Sequence, residues 1–366
     1  MKLWMIVAML LALGSPAYAQ LGGLLKKAQQ AQEQKQKFDD LNITEKEEVE
    51  IGADVSLKIR QRFGVVQDPA VHKYVALVGT LVAQQTGRPK LPWTFIVLDT
   101  DGVNAFASPG GFVHVTRGAL ALMKSEAELA GVLGHEMTHV ARKHTVNAIT
   151  KNKAVQLGTN ETLSGRGPFL DQLANRTYEM VLENSFDRGD ELDADEGAVE
   201  LARKLGYAPA ALADFLTRLA DRNKDQAEKN GLFASHPESK ERIAKVRRLA
   251  ASKTGAMGAT RYAATIKYPP TELTKIAVVV EGSAGLAGSS GKEQEAKKPE
   301  EPQKKGFGLG ALKQTVAPEK PSAQVSASGG ARGVGPDRLA KGGSNPNPVR
   351  VTVSAAELDT FKKGIS

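Results

Sequence analysis

Hydrophobic and polar positions along the chain follow a helical period first and an extended period after about residue 93. Over residues 44–82 the apolar side chains recur every three or four positions, as on one buried helix face. Two helix starts are marked here, a capping box formed by Thr44 with Glu47 and an N-cap at Asp68 followed by Pro69. The pattern therefore predicts two helices that share one core.

A short β region follows, in which turn residues separate three runs of β-branched and aromatic side chains. The runs occupy residues 93–98, 103–107 and 112–116. This small sheet leads into a further helix, whose start is marked by Ser125 and Glu128 and which meets no proline for more than twenty residues. Gly131 and Gly134 each cost a helix about 1 kcal/mol relative to alanine, so we expect them to let another element approach closely.

The second half of the chain is predicted to be helical between two irregular stretches. Residues 152–168 are polar and Gly-rich and indicate a surface loop, after which helical patterns resume over residues 170–249. Residues 276–280 favour an edge strand, residues 349–353 a strand, and Ser354 with Glu357 a short capped helix. For this last segment a docked and a disordered end both remain open. The fold class expected is α+β, mainly helical, with a small sheet beside the helix that begins after Ser125.

The N-terminus has the pattern of a secretory signal peptide over residues 1–19. Lys2 precedes an apolar run over residues 3–13, and Ala17-Tyr18-Ala19 forms a cleavage site. The run is too short to span a bilayer, which needs about 20 apolar residues. We therefore expect a polar leader over residues 20–40 and a periplasmic or secreted protein with no integral membrane span after signal removal.

Composition narrows the classes of site that the chain can hold. It has no cysteine, which excludes disulfides, thiolate metal sites and an acylated cysteine as an anchor. The formal net charge is +8, but most of the excess lies in residues 284–366, so we expect no nucleic-acid groove in the remainder. Residues 282–348 are rich in Gly and Pro and predict a disordered linker before a short C-terminal segment, residues 349–366.

Residues 134–140 read Gly-His-Glu-Met-Thr-His-Val, and their spacing predicts a metal-binding helix. Two helical residues four apart are separated by about 40° of rotation, so His135 and His139 project from one face toward one ion. Glu136 lies about 100° further round, where it can take a proton from a metal-activated water but is badly placed as a ligand. The alternative is a pair of buried structural histidines.

A catalytic zinc usually takes three protein ligands, and without cysteine the third must be His, Asp or Glu. The acidic run over residues 190–196 is the obvious source, with Glu191 and Asp195 four residues apart. One of these carboxylates can bind metal while the other accepts the spare N–H of a ligand histidine. From composition alone, a solvated helix face explains the run equally well.

Four motifs in sequence order carry a resemblance to a known family. They read DGVNAFASPGGFVHVTRGAL, GHEMTHVARKH, DRGDELDAD and SHPESKERI. Together they resemble the zinc metallopeptidase family that includes the CAAX prenyl protease, HtpX and their soluble periplasmic relatives. The resemblance implies a zincin-type metallopeptidase domain over residues 41–281, with one Zn2+ per chain. It also implies that His135, His139 and Glu191 hold the zinc and that Glu136 is the catalytic base.

The same resemblance implies roles for residues around the metal. Asp195 is expected to orient a ligand histidine. His236 is expected to approach the metal from a loop, where it occupies the open zinc position or donates to the oxyanion, unless it caps the next helix instead. Arg188 matches a family arginine of open role and is a second candidate donor. The strand over residues 112–116, with Asn104 nearby, is expected to form the sheet edge at which a substrate peptide pairs with backbone groups. The candidate substrate-binding residues are Asn104, Phe112, Val113, His114 and Val115. The alternative is that they are plain sheet residues.

Three further histidines are expected to lie outside the metal site. His144 follows His135 by nine residues, about 180° round a continuous helix, so we interpret it as structural. His72 and His114 belong to no ligand pattern and are interpreted as packed or surface residues.

The function expected is hydrolysis of internal peptide bonds in polypeptide substrates by a zinc-activated water, with Glu136 as general base. Misfolded or unassembled envelope proteins are the substrates we expect, and envelope or outer-membrane assembly proteins are candidate partners. Two other hypotheses remain: a chaperone-like quality-control factor whose client binding matters more than cleavage, and an interaction protein that uses its Gly/Pro-rich tail as a tether. The oligomeric state is not indicated by the sequence.

Overall fold

The computed structural model describes residues 43–156, 166–183, 186–224, 236, 239–251, 254–276, 279–280, 323–324 and 345–365. The predicted signal peptide, the leader and nearly all of the predicted 282–348 linker lie outside these residues. Within the described residues the fold is mainly helical with a small three-stranded sheet, which confirms the α+β class.

Two helices form near the N-terminus, as the pattern predicted, and both pack beside the sheet. Helix α1 spans Glu45–Phe63, and its capping box is complete: the hydroxyl of Thr44 accepts from the backbone N–H of Glu47, whose carboxylate accepts from that of Thr44. Helix α2 spans Pro69–Gln85 and is capped by the carboxylate of Asp68. Their buried faces belong to two separate hydrophobic clusters, one with Val55 and Phe63 of α1 and the other with Tyr74 and Val78 of α2, so the expectation that the two helices share one core was wrong.

The sheet has three strands: β1 (Thr94–Leu98), β2 (Ala105–Ser108) and β3 (Phe112–Thr116). Their order is β1-β3-β2, with β1 parallel and β2 antiparallel to β3. The expectation that Phe112–Thr116 forms the edge of the sheet was wrong, because this strand lies in the centre and pairs on both sides. A turn at Pro109–Gly111 joins β2 to β3, with Gly110 and Gly111 in the left-handed region.

Within the described residues, eight helices lie between the sheet and residue 265. They are α3 (Arg117–Leu122), α4 (Glu126–Ala141), α5 (His144–Gln156), α6 (Arg166–Glu183), α7 (Arg188–Leu205), α8 (Ala211–Arg222), α9 (Ser239–Ala250) and α10 (Ala259–Thr265).

Two sequence expectations fail in this region. The helix that begins after Ser125 does not continue beyond Ala141, since Lys143 adopts a left-handed conformation with φ 60° and α5 starts anew. The loop predicted over residues 152–168 is wrong at both ends, because α5 extends to Gln156 and α6 begins at Arg166, while residues 157–165 lie outside the described residues.

Helix α4 is the centre of the molecule and is buried over nearly its whole length. A Cβ on Gly131 would lie 3.1 Å from the Cβ of Leu212 in α8, and one on Gly134 would lie 3.3 Å from the Cα of Ala198 in α7. The expected close approach of other elements to these glycines is confirmed. Among the described helices, none is both long enough and apolar enough to cross a membrane.

The C-terminal residues dock on the helical body. Helix α11 (Ala355–Lys363) has the capping box predicted from Ser354 and Glu357, and Leu358 is buried in the main core. The ring of Phe361 lies edge-on to Tyr74 and beneath the guanidinium of Arg261. Residues 349–353 are irregular, so the strand predicted there is wrong. Val279–Val280 (β4) pairs with Ala323–Gln324 (β5), which places a short strand within the predicted 276–280 segment.

Candidate active site

Close contact between α4 and α7 brings the two sequence motifs together. Gly134 on α4 faces Ala198, and a Cβ on Gly197 of α7 would lie 2.4 Å from the hydroxyl oxygen of Thr138. Two small residues on facing surfaces let the helix backbones approach without side chains between them. As a result, His135 and His139, each next to a contact residue on α4, lie opposite Glu191, which is about two turns before Ala198 on α7.

His236, which lies between α8 and α9, completes a buried group of four potential ligands. One ligand atom from each of His135, His139, Glu191 and His236 lies within 4.8 Å of the others. The Nε2 atom of His135 lies 3.2 Å from the Nε2 of His139 and 3.3 Å from the Nδ1 of His236. The Oε1 of Glu191 lies 2.7 Å from the Nδ1 of His236 and 3.4 Å from the Nε2 of His139.

These separations fit a tetrahedral zinc ion. Ligand atoms at about 2.0–2.1 Å from zinc lie roughly 3.3 Å from one another in a tetrahedron, close to the two distances from His135 to the other histidines. The formal charge also fits a divalent cation. The carboxylates of Glu136, Glu191 and Asp195 are buried together with the guanidinium of Arg242, which leaves two negative charges for the cation to balance. The Oε1 atom of Glu136 is buried and has no hydrogen-bond partner among the described residues.

Asp195 and Arg242 support the group from behind. The Oδ1 of Asp195 lies 2.9 Å from the Nδ1 of His135, the nitrogen that faces away from the other ligand atoms. Arg242 donates from Nε and Nη2 to both oxygens of Asp195, at 2.9 and 2.8 Å, and its Nη1 lies 2.9 Å from the Oε2 of Glu191. One planar guanidinium thereby fixes the carboxylates on successive turns of α7.

The electrostatics favour ionised carboxylates beside neutral ligand atoms. Burial raises the pKa of Glu191, but His236 and hydrogen bonds from the histidines outweigh it and hold that pKa far below its usual range. Burial also raises the pKa of Asp195, and Arg242 reverses this. Burial lowers the pKa of His139 well below its usual value. His135 differs: burial and Arg242 lower its pKa, but hydrogen bonds to Asp195 and Glu191 raise it to about 9.

The outer side of His139 meets residues that the sequence analysis placed elsewhere. The Nδ1 atom of His144 lies 3.0 Å from the Nδ1 of His139. The prediction that His144 lies on the opposite side of the helix was wrong, because the chain breaks at Lys143 and turns back. The ring of Phe186 lies against His139 with 4.0 Å between ring centroids and shields it from solvent.

Other predicted residues lie away from this group. The side chain of Arg188 is 63% exposed and pairs with Glu241, its Nε 2.7 Å from the Oε2.

Asn104 is buried and its Oδ1 accepts from the backbone N–H of Ala105. Val113, His114 and Val115 are buried on the central strand, where the Nε2 of His114 lies 2.9 Å from the Ser56 hydroxyl oxygen. Since β3 and the partly buried Phe112 that begins it have no free edge, a substrate role for them remains a prediction without structural support.

Arg242, His144 and Phe186 were missed by sequence reasoning. Arg242 carried a signal, because it lies six residues after His236 within the SHPESKERI motif. His144 carried one too, as a histidine five residues beyond His139. Phe186 carried none, since a single aromatic residue before an acidic run has no pattern of its own.

Comparison with known proteins agrees with this geometry. The model of Peptidase family M48 matches residues 69–250. The beta-barrel assembly-enhancing protease of Escherichia coli K12 is 24% identical over 213 residues, which cover 55% of this chain and 43% of that protein. Metalloprotease LoiP of the same bacterium is 31% identical over 163 residues, 43% of this chain and 62% of its own length.

A eukaryotic relative matches over a longer segment. The mitochondrial metalloendopeptidase OMA1 of Schizosaccharomyces pombe is 29% identical over 221 residues, which cover 58% of this chain and 63% of that protein. The chain therefore spans less than half of the assembly-enhancing protease and less than two thirds of the other two relatives.

Proposed function

The chain belongs to peptidase family M48, a family of zinc metallopeptidases, and we propose that it is a zinc-dependent endopeptidase of the cell envelope. The observation that carries this proposal is the buried group of His135, His139, Glu191 and His236 with the unpartnered carboxylate oxygen of Glu136 beside it. Three protein ligands, an exchangeable fourth position and an adjacent base are what metal-assisted peptide hydrolysis requires.

Each residue of the site has a separate role in the proposed hydrolysis. His135, His139 and Glu191 would hold the zinc, which supplies Lewis-acid activation of water and of the scissile carbonyl. Glu136 accepts a proton from the attacking water through its free Oε1 and passes it to the leaving amine. Asp195 and Arg242 keep the ring of His135 and the carboxylate of Glu191 in place. Phe186 helps to exclude solvent from the buried ligand atoms.

A polypeptide substrate needs a place to bind in extended form, and we assign it to β2 in place of β3. Among the described strands β2 pairs with β3 alone, and it packs against α4, which bears the ligands. All four residues of β2 are buried and α6 also packs against the strand, so a peptide can add beside Ala105–Ser108 only where α6 moves aside. It then gains backbone hydrogen bonds that do not depend on its sequence. This suits a protease that acts on many misfolded or unassembled clients.

The envelope location and the partners rest on the N-terminal pattern and on one relative. The predicted signal peptide directs the chain to the periplasm or outside the cell. The Escherichia coli relative is named as enhancing β-barrel assembly, and it supports outer-membrane assembly proteins as candidate partners here.

The test compares the mature protein with a Glu136→Gln variant. We expect about one zinc per chain in both proteins by metal analysis, and casein hydrolysis by the unsubstituted protein alone. The substitution keeps the size of the side chain and removes its ability to accept a proton. Equal hydrolysis by both proteins, or no zinc in either, would refute the proposal. If Glu136→Gln retained the cellular role in full, the chaperone-like alternative would replace the enzyme.

We also infer that His236 occupies the fourth zinc position in the resting enzyme. The support is its Nδ1 atom, which lies 3.3 Å from the Nε2 of His135, the spacing of two tetrahedral zinc ligands. A His236→Ala variant should then hydrolyse casein faster at unchanged zinc content. Slower hydrolysis at unchanged zinc content would instead indicate that His236 donates to the oxyanion.

A further inference from the structure

The two histidines on α4 are held from behind in different ways. His135 is paired through Nδ1 directly with the buried carboxylate of Asp195. His139 faces the ligand group through Nε2, and its Nδ1 contacts the Nδ1 of His144, with the two rings nearly perpendicular at 84°. A histidine therefore stands behind His139 where a carboxylate stands behind His135.

The contact continues from His144 to the surface of α7. The Nε2 atom of His144 lies 3.1 Å from the Oδ2 of Asp193. The carboxylate and backbone carbonyl of Asp193 are in turn held by Arg142, whose Nη1 lies 2.5 Å from the Oδ1 and 3.0 Å from the carbonyl oxygen. His144 is buried, whereas the side chain of Asp193 is 42% exposed. The chain of contacts thus runs from the buried ligand group to solvent.

Only one arrangement of protons uses all of these contacts. If His139 presents a lone pair on Nε2 to a metal, its hydrogen lies on Nδ1 and is donated to the Nδ1 of His144. His144 then carries its own hydrogen on Nε2 and donates it to Asp193. Each nitrogen has one role, and the negative end of the chain selects that tautomer of His139.

We propose that His144 and Asp193 are positioning residues that fix the tautomer and the ring orientation of His139. This inference rests on the proposed zinc site, since it gives His139 the role of a ligand. Partners of this kind are worth about 10–100-fold in metal affinity or activity in other zinc sites. We expect an effect of that size here, transmitted from a residue that is itself far from the substrate.

Asp193 offers a test that leaves the core intact, and Asp190 offers its matched control. Both are aspartates near the start of α7, and their carboxylates lie 3.1 and 3.8 Å from the Nε2 of His144. Only the shorter distance is a hydrogen bond. Asp193→Asn and Asp190→Asn therefore remove the same charge from the same surface, but only the first replaces the charged acceptor of the His144 hydrogen bond with a neutral amide, whose oxygen accepts more weakly.

The experiment measures the release of zinc from the holoenzyme to a competing chromogenic chelator. We expect Asp193→Asn to speed release or weaken affinity about 10–100-fold and Asp190→Asn to change it less than about twofold. His144→Phe keeps an aromatic ring and removes both nitrogens, so it should match or exceed Asp193→Asn. Because the two residues act in series, the double variant should release zinc no faster than His144→Phe alone. Thermal unfolding after zinc removal reports any loss of fold.

The outcomes separate this inference from the proposed function. If the unsubstituted protein holds zinc and Asp193→Asn releases it at the same rate, the inference is overturned while the zinc site stands. Additive effects in the double variant would also overturn it, since they would show independent structural roles. If the unsubstituted protein holds no zinc, the proposed function itself fails. Should His144→Phe not fold, Asp193→Asn against Asp190→Asn decides alone.

Discussion

Arg242→Met should destabilise the protein far more than Arg188→Met, although both arginines pair with a carboxylate. Arg242 is almost fully buried and makes three charge-assisted contacts, two with Asp195 and one with Glu191. Methionine replaces the stem of the side chain and leaves both carboxylates without their cation. Removing one partner of a buried ion pair costs about 3–5 kcal/mol, because the remaining charge stays desolvated.

Arg188→Met is the matched control for this substitution. Its side chain is 63% exposed and its partner Glu241 is 41% exposed. Water screens such a pair, so we expect a loss of about 0–1 kcal/mol. The assay is urea-induced unfolding at neutral pH in excess EDTA, which keeps differences in zinc binding out of the free energy of unfolding.

A third variant tests whether the cost comes from the uncompensated charge. Asp195→Asn added to Arg242→Met removes one of the stranded carboxylates, so the double variant should lose less stability than the sum of the single losses. The reasoning is refuted if Arg242→Met and Arg188→Met lose the same free energy within about 1 kcal/mol. Strict additivity in the double variant would show that the guanidinium contributes by packing alone.

Three further predictions concern the scaffold. Leu358→Ala should lower the free energy of unfolding by about 2 kcal/mol or more, since this side chain is buried in the main core; a loss below about 0.5 kcal/mol in urea unfolding would show that α11 does not dock in solution. Gly52→Ala should lower the melting temperature despite the better helix propensity of alanine, because the new Cβ would lie 1.8 Å from the carbonyl oxygen of Pro109; a raised melting temperature contradicts this packing. Burial and the charge of Arg60 lower the pKa of His114 to about 3, so the fold holds it neutral while the unfolded chain protonates below about pH 6.5. Stability should therefore fall between about pH 6.5 and 3, by about 1.4 kcal/mol per pH unit relative to His114→Gln, and equal pH dependence of the two proteins excludes this effect.

The strands show which part of the fold local sequence determines. Turn residues mark both ends of each run of β-branched and aromatic residues. The sequence therefore located all three strands to within about two residues of their bounds. Their order in the sheet was not predictable in this way. β1 pairs in parallel with β3, although β2 lies between them in the sequence. Such pairing depends on how the helices cover the sheet and not on the residues of the strands. The same limit explains why the predicted substrate edge was assigned to the wrong strand.

The candidate site shows the same division between local and non-local information. His135, Glu136 and His139 lie four residues or fewer apart on one helix, so helical geometry alone predicted that the two histidines share one face and that Glu136 lies beside it. Glu191 and His236 required the resemblance to a family, because no local rule brings α7 or the segment before α9 to α4. Arg242 became visible only in three dimensions, where its contacts with Asp195 and Glu191 show what it supports.

The predicted position of His144 was wrong because helical spacing holds only while the helix continues, although the group of potential ligands does not include it, as expected. Neither glycine nor proline marks the break after Ala141, yet Lys143 takes a left-handed conformation that costs a residue with a side chain about 1–2 kcal/mol. Tertiary contacts offset this cost. The ammonium of Lys143 lies 3.8 Å from the buried carboxylate of Glu48, and the turn brings His144 between His139 and Asp193. Here a strained turn with no local cause aims His144 at His139, a proposed zinc ligand, and this supports the inference that the contact between the two rings is used.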